Sequence, residues 1–476
     1  MIDSGLRGGD GVRLLDVDDD GDLDLAVGWE QSGVVRLYLN PGPVAAVRSK
    51  WPAIDCGPAP NVEDAMPADI DGDGRIDVVS CTEGSNRRVL VHFAPREGSY
   101  ADSAAWTTVE FPESLAGDSR WMFAIALDVD LDRHLDIVAG GKSPDAKVAW
   151  FEAPATDKRV LSQWGYHEMS NAGWIMSLIP HDMDGDGDPD IVVSDRRSEG
   201  GLMGARWLEN PAPGGDPTGP WPNHFIGDVG DHTDFMALAD MDGDGDLDAI
   251  VPAKDPDRID WHERLDAGGT HWMEHEIAFP PHMGKAKGVK SGDINLDGQL
   301  DLVLSCASAK NPLSGLVWME YASSVFDVTW IDHEISGPAG SKFDRIELVD
   351  LDGDGDLDVL TTEENDGPAS LGMGVIWYEN PTIVSLAAVG RKHKLSETIP
   401  DEFPAATVAQ AAADNSPLPQ GAKGVAFSHY DEYLLLGRTW ICQFAQGSGR
   451  EAKDLGHGLH SSRRSGQDGP GAESRP

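Results

Sequence analysis

Seven aspartate-rich nonapeptides of the form D-x-D-x-D-G-x-x-D recur along the chain, beginning at Asp16, Asp69, Asp128, Asp182, Asp240, Asp293 and Asp350. The steps between them are 53, 59, 54, 58, 53 and 57 residues. A period so long and so regular marks a repeat architecture in which each unit is one supersecondary block. Five copies are complete: Asp16, Asp18, Asp20, Asp24; Asp69, Asp71, Asp73, Asp77; Asp182, Asp184, Asp186, Asp190; Asp240, Asp242, Asp244, Asp248; and Asp350, Asp352, Asp354, Asp358. The sixth has Asp293, Asn295, Asp297 and Asp301. The third has Asp128, Asp130, Asp132 and Asp136, with Arg133 in place of the glycine.

Carboxylates at alternate positions of a tight turn converge on one point and repel unless a cation sits among them. A flexible all-oxygen loop suits Ca2+ better than Mg2+. Up to seven Ca2+ sites are therefore expected, the third set apart by Arg133, because glycine supplies the positive φ of such a turn. An EF-hand loop opens with the same aspartates but needs a glutamate at its twelfth position and flanking helices. Here the twelfth positions are Val27, Ser80, Ala139, Val193, Val251, Leu304 and Thr361. The motif also runs into β-formers such as Ile191-Val192-Val193, so these loops join strands.

Each unit reads as four short strands. An apolar strand precedes the loop and a second follows it. A third ends in Trp-x-Glu, as at Trp150, Trp207, Trp261, Trp318 and Trp377, and a fourth often reads W-x-x-H-x-I, as at Trp221, Trp272 and Trp330. Four strands in about 55 residues match one propeller blade. These units resemble the FG-GAP, or VCBS, repeats of integrin-α-like and many secreted bacterial propellers, over residues 1–383. The resemblance implies an all-β, seven-bladed β-propeller whose calcium loops join the first and second strands of each blade. The W-x-E-N-P endings are similar to those of uncharacterised secreted bacterial propellers and, more loosely, to the propeller part of aldos-2-ulose dehydratases. Such kinship speaks to fold more than to activity.

Ile2 falls where Ile226 and Ile335 fall in their repeats, so an N-terminal strand is expected to complete the last blade, most of it lying upstream of Met1. Residues 384–476 hold no aspartate loop and end in a Gly/Ser/Arg-rich run, and read as a low-complexity or disordered extension outside the propeller.

The net charge is −45, and 27 of the 82 acidic residues are the loop positions just named. Such a surface argues against nucleic acid or an anionic membrane as partner, and no apolar run is long enough to span a bilayer. Calcium loops suit the extracellular or periplasmic space, where the ion is abundant. Cys56 and Cys81 flank one first strand; a disulfide and two buried thiols both fit.

Tryptophans and histidines that recur in every unit are expected to pack blade against blade; His167, His224, His275 and His333 are such. Trp29, Trp121 and Trp174 stand outside the recurrent sets and read as ligand-surface candidates. In a propeller the first strands line the central channel, so departures from the repeat just upstream of each loop mark candidate ligand residues. They are Asp10, Arg13, Glu63, Asp64, Trp121, Trp174, His232, Asp234, Lys285, Lys287, Lys290, Lys342, Asp344 and Arg345. Cations of units six and seven are expected to face acids of units one, two and five, an asymmetry suited to an anionic or polyhydroxylated ligand. A salt-bridged wall is the alternative. The chain reads first as a calcium-stabilised binding module for a glycan or protein ligand. A carbohydrate-active lyase or dehydratase ranks second, since no nucleophile elbow, zinc motif or HExxH is present, and a purely adhesive propeller third.

Overall fold

The computed structural model of the chain describes residues 1–42, 46–197, 201–254, 257–364, 372–383 and the backbone of 441–442. Its strands form seven four-stranded antiparallel sheets, each a meander of four consecutive strands. Blade four is representative: Ile175–His181, Asp190–Asp195, Gly204–Leu208 and Asn223–Gly227. The first strands, at Gly9–Leu15, Val62–Ala68, Arg120–Leu127, Ile175–His181, Ala237–Ala239, Lys285–Gly292 and Phe343–Val349, each run directly into an aspartate loop. All seven loops therefore lie at one end of the sheets. The starts of the first strands and the ends of the second strands lie at the other.

Second strands are apolar on both faces, as in Asp-Leu-Ala-Val-Gly-Trp at Asp24–Trp29, and every residue of that strand is buried. A strand buried on both sides needs a neighbour on each, which only stacked sheets supply. Seven apolar clusters result among the described residues, one per pair of neighbouring blades. The ring closes where Trp29, Trp51 and Leu25 of blade one meet Leu360, Val375 and Trp377 of blade seven.

Closure uses both ends of the chain. Ile2 donates its N–H to Val375 O at 2.8 Å, and Asp3 O accepts from Val375 N at 2.8 Å. In blade six Ile335 makes the equivalent bond to Leu316 O, at 3.1 Å, so Ile2 does stand in the repeat position read from the sequence. Further along the same edge, Glu379 pairs with Ile441 and Tyr378 with Cys442, in the register of Glu320 with Ile331 and Met319 with Asp332. Ile441–Cys442 thus pair as part of the fourth strand of blade seven. The rest of the 384–476 extension lies outside the described residues. Cys56, Cys81 and Cys306 are buried free thiols, which excludes the Cys56–Cys81 disulfide.

Candidate functional site

The aspartate loops share one geometry. The backbone N–H at the sixth position donates to the first aspartate in all seven, from Gly21, Gly74, Arg133, Gly187, Gly245, Gly298 and Gly355, at 2.9 to 3.1 Å. Arg133 adopts φ 73°, close to the 85° of Gly74, and keeps this bond to Asp128 at 2.9 Å. The third loop thus folds like its complete counterparts despite lacking the glycine.

The ninth-position aspartates, Asp24, Asp77, Asp136, Asp190, Asp248, Asp301 and Asp358, are all buried. In most units one oxygen accepts from the second residue of the loop and the other from the end of the third strand. Asp190, for example, takes Met183 N and Asn210 N, each at 2.7 Å. Burial raises every one of these carboxyls, with neighbouring loop aspartates adding to the rise and backbone N–H groups opposing it. Asp24 and Asp248 reach about 6, Asp136, Asp190 and Asp301 about 7, and Asp77 and Asp358 about 8. In the first three loops the first, third and ninth carboxylates lie within 4.8 Å of one another.

This donor set fits a hard cation. All donor atoms are oxygens, and among the described residues buried carboxylate oxygens stand without a hydrogen-bond partner: Asp77 Oδ2, Asp128 Oδ1 and both oxygens of Asp188. Leaving such atoms uncompensated is costly. Two loops carry a guanidinium as well. Arg159 reaches Asp71 and, at 3.0 Å, Asp73; Arg48 joins Asp352 to Glu379, the latter at 2.7 Å.

The recurrent aromatics are structural. Each outer tryptophan donates its indole N–H to a carbonyl of the loop before it, as Trp221 does to Pro217 O at 2.9 Å and Trp330 to Asp327 O at 2.9 Å. The histidine of W-x-x-H lies over the tryptophan of W-x-E and hydrogen-bonds its glutamate. In blade six the Trp318 and His333 centroids are 4.0 Å apart and His333 Nε2 is 2.7 Å from Glu320. His167, His224 and His275 repeat the arrangement with Glu152, Glu209 and Glu263.

At the opposite end of the channel the sequence candidates divide. Trp121 is 2% exposed, in the core between blades two and three, with its indole N–H on Ser114 O at 3.0 Å; Trp29 is fully buried. Neither offers a face to a ligand, because a wedge between blades accepts any bulky apolar side chain whether or not it recurs. Trp174 is half-buried at the channel mouth. Lys287 pairs with Asp344 at 3.0 Å and Glu364 at 3.6 Å, Lys342 joins Glu364, and Asp10 shares a hydrogen bond with Asp344. Burial would lower Lys287, but Asp344 and Glu364 outweigh it and hold the amine well above its usual range. Asp234 is wholly buried between Arg196 and Lys254. Arg13 forks onto Asp64 at 3.0 and 2.8 Å, Lys290 pairs with Glu347 at 3.0 Å, and Lys285 with Asp257 at 2.9 Å. Arg345 lies between Phe123 and Phe235, 5.9 and 5.8 Å from their centroids, and burial followed by repulsion from Arg13 lowers it to about 10. His232 accepts Lys254 N through its carbonyl at 3.1 Å. These ion pairs form within a blade or between neighbours rather than across the channel, since residues at equal height in adjacent blades are the nearest.

A ring that upstream reading missed completes the mouth. The fifteenth residue of each unit, counted from the first aspartate, is Glu30, Glu83, Lys142, Arg196, Lys254, Ala307 and Glu364 in blade order. Blades seven, one and two thus present acid, and blades three to five present base. Counting downstream from the loops in all copies would have revealed it.

Seven stacked four-stranded blades carrying aspartate loops at one end define a seven-bladed β-propeller. Residues 16–80 and 128–193 match the FG-GAP-like repeat family. The chain accordingly carries FG-GAP-like repeats on a seven-bladed β-propeller. No curated protein matches it. Among solved structures, one titled "Crystal structure of BBS1N in complex with ARL6DN, soaked with lead" is similar at 9% identity and TM-score 0.42, over 76% of this chain and 92% of that chain. Among the described residues no helix is long and apolar enough to cross a membrane.

Proposed function

We propose that the protein is a calcium-stabilised, extracellular or periplasmic binding module that takes a glycan or protein ligand at the channel mouth, on the end opposite its aspartate loops. The observation that carries this reading is the mouth ring itself. Tryptophans and histidines that recur serve blade packing, whereas the fifteenth residue of the units varies in charge, giving an acidic arc at Glu30, Glu83 and Glu364 and a basic arc at Lys142, Arg196 and Lys254. A polarised concave surface of that kind serves recognition. The calcium role rests on the oxygen-only donor sets and on the unpartnered buried oxygens of Asp77, Asp128 and Asp188. Millimolar-range affinity, as in extracellular calcium modules, matches the export proposed.

Binding is favoured over catalysis because the amines at the mouth that a lyase would use as base, Lys142, Lys287 and Lys342, are each engaged by a carboxylate, and Lys254, which burial and then the charges of Arg196 and Lys287 lower to about 6, is held against Asp234. The test is binding of calcium-loaded protein to immobilised oligosaccharides and candidate proteins, with Trp174→Ala beside wild type. Saturable binding lost in the variant, with the bound saccharide recovered unaltered, is expected. Binding that survives the substitution, or turnover of the saccharide, would overturn the reading.

A further inference from the structure

The corner between blades three and four holds an arrangement that the salt-bridged remainder of the mouth does not explain. Trp174 is fixed there by backbone: it bridges Lys142 of blade three, its carbonyl accepts Arg196 N at 2.9 Å, and its own N–H donates to Asp195 at 2.9 Å. Three cations crowd its ring, Lys142 Nζ at 4.5 Å and the guanidinium carbons of Arg196 and Arg197 at 4.7 and 4.9 Å from the centroid. Two buried donors at this spot, Arg196 Nε and Trp174 Nε1, have no acceptor among the described residues. Lys142 is engaged by Glu63 and Glu83, and Arg196 by Asp234. Exposed Arg197 makes no ion pair among the described residues.

Like charges gathered at one aromatic ring, beside orphaned donors, want an acceptor with negative charge. A guanidinium answers carboxylate and sulfate groups with paired, charge-assisted hydrogen bonds, and orphaned N–H donors gain most from the same groups. From this geometry we infer that Trp174, Arg196 and Arg197 form an oxyanion subsite that receives a carboxylate or sulfate group of the ligand. The inference rests on the channel-mouth reading above and deepens it, by naming an acidic rather than a neutral ligand. Arg196 is pre-positioned by Asp234, the backbone bonds hold the indole, and Arg197 supplies the accessible charge.

The experiment is calorimetric titration of the calcium-loaded full chain with three probes, oligogalacturonate, its neutral galactose counterpart and inorganic sulfate, on wild type, Arg197→Ala and Trp174→Phe. Trp174→Phe keeps an aromatic ring for the cations but removes the indole donor; Arg197 is exposed, so its loss leaves the fold intact. Oligogalacturonate is expected to bind at least about tenfold tighter than the neutral oligomer, as one charge-assisted hydrogen bond implies, with about tenfold loss in Arg197→Ala and a smaller loss in Trp174→Phe. Competition by sulfate alone, with no gain from the sugar, would identify the subsite as one for free anions and still support it. Equal binding of charged and neutral oligomers would overturn the oxyanion subsite, and, with binding lost in the Trp174→Ala variant of the preceding test, would leave the mouth as the ligand face. Uronate binding untouched by either substitution would overturn the subsite too.

Discussion

Two backbone positions in each loop set the cost of the turn. Besides the sixth residue, the fourth adopts positive φ in every copy: Asp19, Gly72, Leu131, Gly185, Gly243, Leu296 and Gly353 lie between 60° and 80°. The glycine at position six was legible in the sequence. The requirement at position four was not, because aspartate and leucine occupy it in three loops and blur the pattern. Loop three carries a side chain at both positions, so Arg133→Gly should stabilise the protein by about 1 kcal/mol, the usual relief of a left-handed non-glycine residue. Chemical denaturation in saturating calcium checks this, and an unchanged or lower midpoint would show the arginine side chain to contribute contacts of its own. His92 offers a pH test. Its ring nitrogens each lie 2.9 Å from a hydroxyl, of Ser80 and Thr108, and burial alone lowers it to about 3. The unfolded chain takes up this proton near pH 6.5 and the folded chain does not, so the stability that neutral His92 contributes is full above that pH. It is lost as pH falls toward 3, at up to about 1.4 kcal/mol per pH unit. The difference between wild type and His92→Gln, measured across that window, isolates the effect from loop carboxylates that titrate in both. Parallel pH profiles would contradict it.

At the scale of elements, the outer strand of blade seven is the instructive case. Its pairing is shared by Ile2–Asp3 and Ile441–Cys442, and the two segments occupy different stretches of one edge, at Val375 and at Tyr378–Glu379. In the sequence, Trp440 and Gln443 flank Ile441–Cys442 as Trp330 and His333 flank Ile331–Asp332. In the sequence the apolar run from Val425 to Phe444 reads only as a segment able to dock on this edge, because residues 384–440 break the period and glutamine replaces the histidine. Ile2 was legible because nothing intervenes between it and blade one. Truncation after Ala445 is expected to leave stability unchanged. Truncation after Gly437 should expose the Tyr378–Glu379 edge, speed hydrogen exchange there and promote self-association, since open edges recruit other strands. Equal exchange in the two truncations would remove Ile441–Cys442 from the blade.

For the molecule as a whole, seven inter-blade clusters close the ring, and seven loops gather carboxylates at one end of it. The repeat count, the blade and the aspartate loops were legible because each rests on a periodic pattern. The mouth was only partly so: it is built from departures, and a departure buried in a wedge, like Trp121, cannot be told by spacing from one facing the channel, like Trp174. Because loop three keeps the common turn, Asp130→Ala and Asp184→Ala should each lower calcium stoichiometry by about one, measured by equilibrium dialysis of the variants against calcium well above the dissociation constant. A smaller loss for Asp130→Ala would show that Arg133 weakens its site after all.

The calcium framework is tested most directly by titrating metal-stripped protein with calcium while following thermal unfolding. Each occupied site adds about 2.7 kcal/mol at a hundredfold excess over its dissociation constant, so the melting temperature should climb with the logarithm of free calcium once that passes the dissociation constants, and fall back on chelation. A melting curve that chelator and calcium leave unmoved would contradict the account.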